Sequence, residues 1–225
     1  MDKYIIQNDF LSVAVLPLGA ELTSIYDLTS SRELLWQGDK NIWPGQAPVL
    51  FPIIGRLKEK TYAYNNRNYK MDIHGFARTT KFDVHDYSKE TVSFTMKSSP
   101  ETLCQYPFEF SFTIQYSLSG NKLIKEHVIE NTGKDGLYYE VGGHEGYQLV
   151  FCKDEKMEDY YLLFNGQNEI ESFMLDENIM IARDKRIIPL DRGKLFLRMD
   201  LFADDALIFD NSAGSSVELW GRKSG

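Results

Sequence analysis

Two of the four histidines sit beside glycine, in Asp72-Ile73-His74-Gly75-Phe76 and in Gly142-Gly143-His144-Glu145-Gly146-Tyr147. Glycine lets backbone or ligand come close to an imidazole, which titrates near neutrality and can donate or accept a proton. Two such rings facing one cleft suit proton transfer on either side of a reacting atom. On pattern alone, a histidine satisfied by backbone groups outweighs a catalytic one, so both readings of His74 and His144 stay open. His85 and His127 have no such setting and read as surface or packing residues. Arg56, in Phe51-Pro52-Ile53-Ile54-Gly55-Arg56-Leu57, is a lone cation in an apolar neighbourhood. Burial there would demand a carboxylate or a ligand oxygen as partner. Asp204 and Asp205 precede an apolar run and read either as a solvated turn or as acceptors for hydroxyl groups. Trp36 and Trp43 flank Gly38-Asp39; an aromatic face beside polar groups suits the apolar face of a sugar ring, and equally a protein core.

Other chemistries lack their residues. There is no H-x-H pair, no H-E-x-x-H, no G-x-S-x-G and no G-x-x-x-x-G-K-[ST], so metal, serine-hydrolase and nucleotide readings have no support. Cys104 and Cys152 stand far apart with no C-x-x-C pair, and both read as buried free thiols.

The elements that must position these residues are strands. Phe108, Phe110, Phe112, Ile114, Tyr116 and Leu118 alternate with polar residues, the period-two signature of a half-buried strand. Ser119-Gly120-Asn121-Lys122 then turns the chain into a second strand over Leu123–Asn131, which predicts an antiparallel hairpin. Leu137–His144 alternates too, and Tyr4–Ile6, Leu11–Leu16, Leu22–Tyr26, Thr91–Met96, Leu195–Met199 and Ala206–Phe209 are further short strand candidates. Glu158–Phe164 and Glu169–Met174 are the weak helical candidates, and Ala47–Ile73 reads as a long irregular segment, a usual place for binding residues. Many short strands with frequent turns predict an all-β fold, an antiparallel β-sandwich or barrel.

Of 225 residues, 43% are hydrophobic, enough for one ordinary core, and 25 Lys and Arg against 33 Asp and Glu leave a net charge of −8. With no basic cluster, nucleic acid and anionic membrane drop out as partners. No apolar run approaches the ~20 residues of a membrane span and the first residues lack a signal-peptide layout, so the expected location is cytoplasmic.

Six fragments in order, Gly19-Ala20-Glu21-Leu22-Thr23-Ser24, Leu35-Trp36-Gln37-Gly38-Asp39, Leu50 to Leu57, His74-Gly75-Phe76-Ala77-Arg78, Tyr106-Pro107-Phe108 and Gly142-Gly143-His144, resemble the aldose 1-epimerase (galactose mutarotase-like) family. Their order and spacing resemble its bacterial LacX-like branch. The resemblance implies a galactose mutarotase-like supersandwich and a cofactor-free interconversion of α and β anomers of a hexose or hexose phosphate. In the family, a glutamate is base toward the C1 hydroxyl and a histidine protonates the ring oxygen. Carried over by position, His144 becomes the general acid, His74 the first family histidine and Arg56 the arginine on sugar hydroxyls. Asp205 becomes a hydroxyl acceptor, with Asp204 as the competing register, and Trp36 a substrate-binding aromatic. Arg78 reads as a phosphate partner or, more simply, as a surface ion pair.

Two departures from the family pattern stand out. Glu145-Gly146-Tyr147 follows the second histidine where the family has proline and a small residue, and the late I-E-P-W-like motif that carries the glutamate is absent. Glu218-Leu219-Trp220 lacks the proline, follows too soon after Asp205 and is not equated with it. These features lead to the expectation of one incomplete domain over residues 1–225, missing closing strands at its C-terminus and its catalytic base. A non-catalytic sugar-binding or sensing protein is the rival expectation, and a β-sandwich interaction protein with no sugar site is a third. Oligomeric state is open.

Overall fold

The structure, a computed structural model, describes residues 2–149, 154–210 and 216–221. It divides into two compact units, Met1–Gln148 and Leu149–Gly225. In the first unit β1 (Tyr4–Gln7), β2 (Leu11–Leu16), β3 (Glu21–Asp27) and β4 (Arg32–Glu33) form an antiparallel sheet in chain order. After β5 (Val49–Leu50) comes a hairpin of β6 (Thr61–Tyr64) and β7 (Arg67–Lys70). A second four-stranded sheet holds β8 (Asp83–Tyr87), β9 (Thr91–Lys97), β10 (Phe110–Ser119) and β11 (Lys122–Asn131) in the order β11-β10-β9-β8. Helix α1 (Pro100–Gln105) links β9 to β10, and β12 (Gly142–Gly143) pairs with β5.

The alternation in β10 does what its period requires. Phe110, Phe112, Ile114, Tyr116 and Leu118 are buried, and the hairpin with β11 keeps register from Phe110↔Asn131 to Ser119↔Lys122 without a bulge. These side chains share one core with Val13, Val15 and Leu22 of the first sheet, so the two sheets are layers of one sandwich. Each fully buried aromatic of this kind contributes roughly 1.5–3 kcal/mol. The Tyr116 hydroxyl crosses the core to donate to the Ala20 carbonyl at 2.8 Å, so its burial leaves no orphaned polar group.

The second unit contains β13 (Tyr160–Leu163), the hairpin of β14 (Glu169–Leu175) and β15 (Ile181–Pro189), β16 (Lys194–Phe196) and β17 (Glu218–Gly221). Its sheet runs β16-β13-β17, around a small core of Phe164, Ile170, Ile188, Leu195 and Leu201.

Several expectations are corrected. Both weak helical candidates are strands: β13 occupies most of one, and β14 buries Ile170 and Ser172 in alternation, a period of two obscured by a serine in a core slot. Ser172 fits because its hydroxyl accepts the Ile208 N–H at 3.0 Å. That contact, with the single bridge Phe173↔Ile208, also replaces the strand expected over Ala206–Phe209. Leu195–Met199 shortens to β16, because Met199 starts a 3₁₀ turn. Leu137–Val141 forms no ladder: Glu140 N–H goes to the Pro52 carbonyl, and the Tyr138 carbonyl takes the Tyr106 hydroxyl. The irregular 47–73 segment contains the β6–β7 hairpin. Cys104 is exposed rather than buried, since α1 buries only Thr102; Cys152 lies outside the described residues. This helix starts where Ser99 and Thr102 cap each other reciprocally and Pro100 takes the first helical position.

Candidate active site

The first histidine is set by main chain. His74 N–H donates to the Gly55 carbonyl at 2.8 Å, the His74 carbonyl accepts from Phe51 N–H at 3.3 Å, and Gly55 N–H donates to the ring Nδ1 at 3.2 Å. A ring that accepts at Nδ1 carries its proton on Nε2, so His74 presents a donor there. Its backbone is left-handed, with φ at 66°, a conformation costly for a side-chain-bearing residue and typical of functional sites. Gly75, next in the same region at φ 69°, can carry no Cβ, because one would strike the Phe51 carbonyl and Pro52.

The second histidine is set by its neighbours. Gly143 pairs with Val49, Gly146 N–H donates to the Gln46 carbonyl and the Gly146 carbonyl accepts from Trp36 N–H, each of the last two at 2.8 Å. His144, exposed between these anchors, places its ring 5.4 Å from that of His74 at 75° and 5.0 Å from that of Trp43 at 36°. The two histidines singled out from the sequence are therefore in contact.

Burial, then His144, then Arg78 and Arg56 push the His74 pKa below its ordinary value, so the ring stays neutral near neutrality. The charges of both arginines thus bear on His74. Neither has an ion-pair partner among the described residues, and Arg78 Nε is buried without a hydrogen bond. Among the described residues, neither the surface ion pair read for Arg78 nor the carboxylate partner left open for Arg56 is formed. Carboxylates nearby are engaged: Glu140 accepts from Ile54 N–H at 2.7 Å, Glu145 pairs with Lys125 at 2.6 Å, and Glu21 accepts from Gln46 and Ala47 N–H.

Trp36 is half-buried with its indole N–H given to the Trp43 carbonyl, so the ring beside His144 is that of Trp43. Asp204 and Asp205 belong to the second unit. Asp204 pairs with Arg186 at 3.3 Å, whereas Asp205, left-handed at φ 76°, is exposed. Glu218 is also in that unit, its carboxylate taking Trp220 Nε1 and Asn165 Nδ2.

A cavity of about 740 Å³ opens in the first unit, lined by Tyr62, Tyr64, Tyr106, Phe108, Tyr138 and Glu140 among others, and neither histidine lines it. Its phenols Tyr62 and Tyr106 donate to main-chain carbonyls, leaving ring faces inside. Among the described residues no group of three or more His, Cys, Asp or Glu could hold a metal ion, and no helix is long and apolar enough to cross a membrane.

Known proteins are similar to this chain. The family model for aldose 1-epimerase matches residues 2–172, which include both histidines and both arginines. The chain belongs to the aldose 1-epimerase family. Within it, the chromosomal and plasmid LacX proteins of Lactococcus lactis subsp. lactis are 32% identical over 232 residues, 98% of this chain and 76% of each relative. A solved structure described as a galactose mutarotase related enzyme, from Lactobacillus acidophilus, superposes with a TM-score of 0.91 at 32% identity, covering 99% of this chain and 74% of its own. A galactose mutarotase-like protein from Lactobacillus casei gives 0.82 at 30% identity, covering 89% and 69%. The fold of this aldose 1-epimerase family member is accordingly all-β, antiparallel and galactose mutarotase-like.

In this family member the departure after the second histidine has a structural reason. A Cβ at Gly146 would meet the Trp43 ring at 2.7 Å and Trp36 Cβ at 2.9 Å, so a glycine is what lets the tryptophans close on the loop. The Lys125–Glu145 ion pair and the Trp43 ring beside His144 were missed from the sequence, because nothing in the spacing of 43, 125 and 145 marks them as neighbours of this loop.

Proposed function

We propose that this aldose 1-epimerase family member interconverts the α and β anomers of a hexose or hexose phosphate in the cytoplasm, by acid–base ring opening without a cofactor. The observation that carries this reading is the contact of His74 and His144 beside the Trp43 face, with Arg56 and Arg78 bearing on the same imidazole. In the opening step a base takes the proton of the C1 hydroxyl and the C1–O5 bond breaks, its electron pair going to O5. O5 receives a proton from His144, and C1 becomes the open-chain aldehyde. Rotation about C1–C2 and reversal of the proton transfers then give the other anomer. His74, neutral and protonated on Nε2, donates to a sugar oxygen, while Trp43 covers the apolar face of the ring. Two guanidiniums without a carboxylate partner among the described residues favour a sugar that brings its own anion, a hexose phosphate.

The base is the part of the reading that rests on family resemblance, which calls for a glutamate. Glu140 and Glu145, two glutamates beside the histidine loops, are held by Ile54 N–H and by Lys125. That engagement favours a second reading, a protein that binds the sugar without turning it over.

Two-dimensional NMR exchange spectroscopy on glucose, galactose and their 6-phosphates separates the two. Anomer exchange faster than buffer, falling ~10²–10⁴-fold in His144→Asn, supports the enzyme. Saturation transfer to the sugar without faster exchange supports the binder. Neither signal, for any of the four sugars, defeats both.

A further inference from the structure

We propose that Lys125 is a positioning residue for His144, acting through Glu145; this rests on the acid role of His144 given above. The loop that carries His144 has main-chain anchors at Gly143 and at Gly146, and between them stand only His144 and Glu145. The side chain that ties this crest to the sheet is Glu145, whose carboxylate meets Lys125 Nζ at 2.6 Å with the two side chains only 20% and 14% exposed. Such a pair is little screened by solvent, and removing one partner leaves a half-buried charge.

Lys125 offers a rigid base for the tie. It lies on the inward face of β11, opposite Tyr116 in the unbulged hairpin with β10, and its ammonium stands 5.8 Å over the Tyr116 ring. That ring is fully buried and is itself pinned to the Ala20 carbonyl at 2.8 Å. At the other end the Glu145 carboxylate folds back over Gly143, in the space a Cβ there would need. Gly143, Glu145 and Lys125 thus work as one clamp. By fixing the side chain of Glu145, the clamp fixes the peptide that joins it to His144, and so aims the imidazole between Trp43 and His74.

The test compares Lys125→Met, Lys125→Arg and Glu145→Gln in the full chain, with two readouts. One is the set of nuclear Overhauser contacts between the His144 and Trp43 rings, which reports orientation whether or not sugar is turned over. The other is kcat and KM for anomer exchange. Lys125→Met and Glu145→Gln are expected to lose the ring contacts and to lower kcat about tenfold, with KM within about twofold, because a displaced acid costs rate rather than binding. Lys125→Arg is expected to keep the contacts and to hold kcat within about threefold of the parent. If the Met or Gln variant keeps both ring contacts and kcat while melting earlier, the pair is only structural and the proposal is overturned. If the parent itself shows no exchange, the catalytic reading fails alone, and the ring contacts still decide whether the clamp aims His144. Should Lys125→Met not fold, the Arg and Gln variants carry the same comparison.

Discussion

His74 is held by its own main chain, whereas His144 is held by the side chains of other segments. In the first loop the restraints are three hydrogen bonds with residues 51 and 55 and a left-handed backbone, and all but the bond to the ring Nδ1 survive a change of side chain that keeps the turn. In the second, the imidazole leans on Trp43, and the crest is tied by an ion pair to a strand twenty residues upstream. A backbone-built site is fragile at its glycines and forgiving elsewhere. A side-chain-built site is exposed to substitutions at positions that never approach the ligand.

The sharpest contrast comes from adding one methyl group to each loop. Gly75→Ala should destabilise by about 3 kcal/mol or more, lowering Tm by roughly 6–12 °C in a thermal melt, since the obstacle is main chain and the φ is positive. Gly146→Ala should cost about 1–3 kcal/mol, because the nearest obstacles there are side-chain atoms, the Trp43 ring and Trp36 Cβ, rather than main chain. If the two melts coincide, the distinction between the loops is lost.

Smaller again is an acid effect on the side-chain-built region. His127 shares the inward face of β11 with Lys125, packs on Phe112, and has its Nε2 buried without a partner. Burial first, then Lys125, pushes its pKa down to about 4 from 6.5, while Glu145 opposes this. The unfolded chain therefore binds the proton before the folded one. The contribution to stability is whole above about pH 6.5 and is lost as pH falls toward 4. Melts between pH 7 and 4 should show this decline, and His127→Leu should flatten it; an unchanged slope would place the acid sensitivity elsewhere.

The smallest effects belong to the backbone-built loop. His74→Val should cost about 1 kcal/mol because a β-branched residue resists the left-handed conformation, whereas His74→Asn should stay within about 0.5 kcal/mol. Equal melts for the two would mean that the turn, not the residue, absorbs the strain.

Much of this was legible from residue order. The period of two in β10, its turn and its partner strand required only local pattern, and the glycines beside His74 and His144 marked two places where chain or ligand comes close. Less legible were segments whose partners lie far away. Leu137–Val141 alternates like a strand yet spends its polar groups on Pro52 and Tyr106, and Glu169–Met174 hid its period behind a buried serine that Ile208 satisfies. The resemblance singled out Trp36, and only packing placed the ring of Trp43 on the His144 imidazole.

By itself, then, the sequence determined that this chain would be all-β and antiparallel, and that His74 and His144 were the groups to watch, because periodicity and turn chemistry are properties of neighbouring residues. Tertiary structure alone decided that the two imidazoles touch and that Lys125 reaches Glu145. It also decided that neither Arg56 nor Arg78 meets a carboxylate among the described residues. Those contacts join positions that are distant along the chain, and they exist only once both sheets have closed over their shared core.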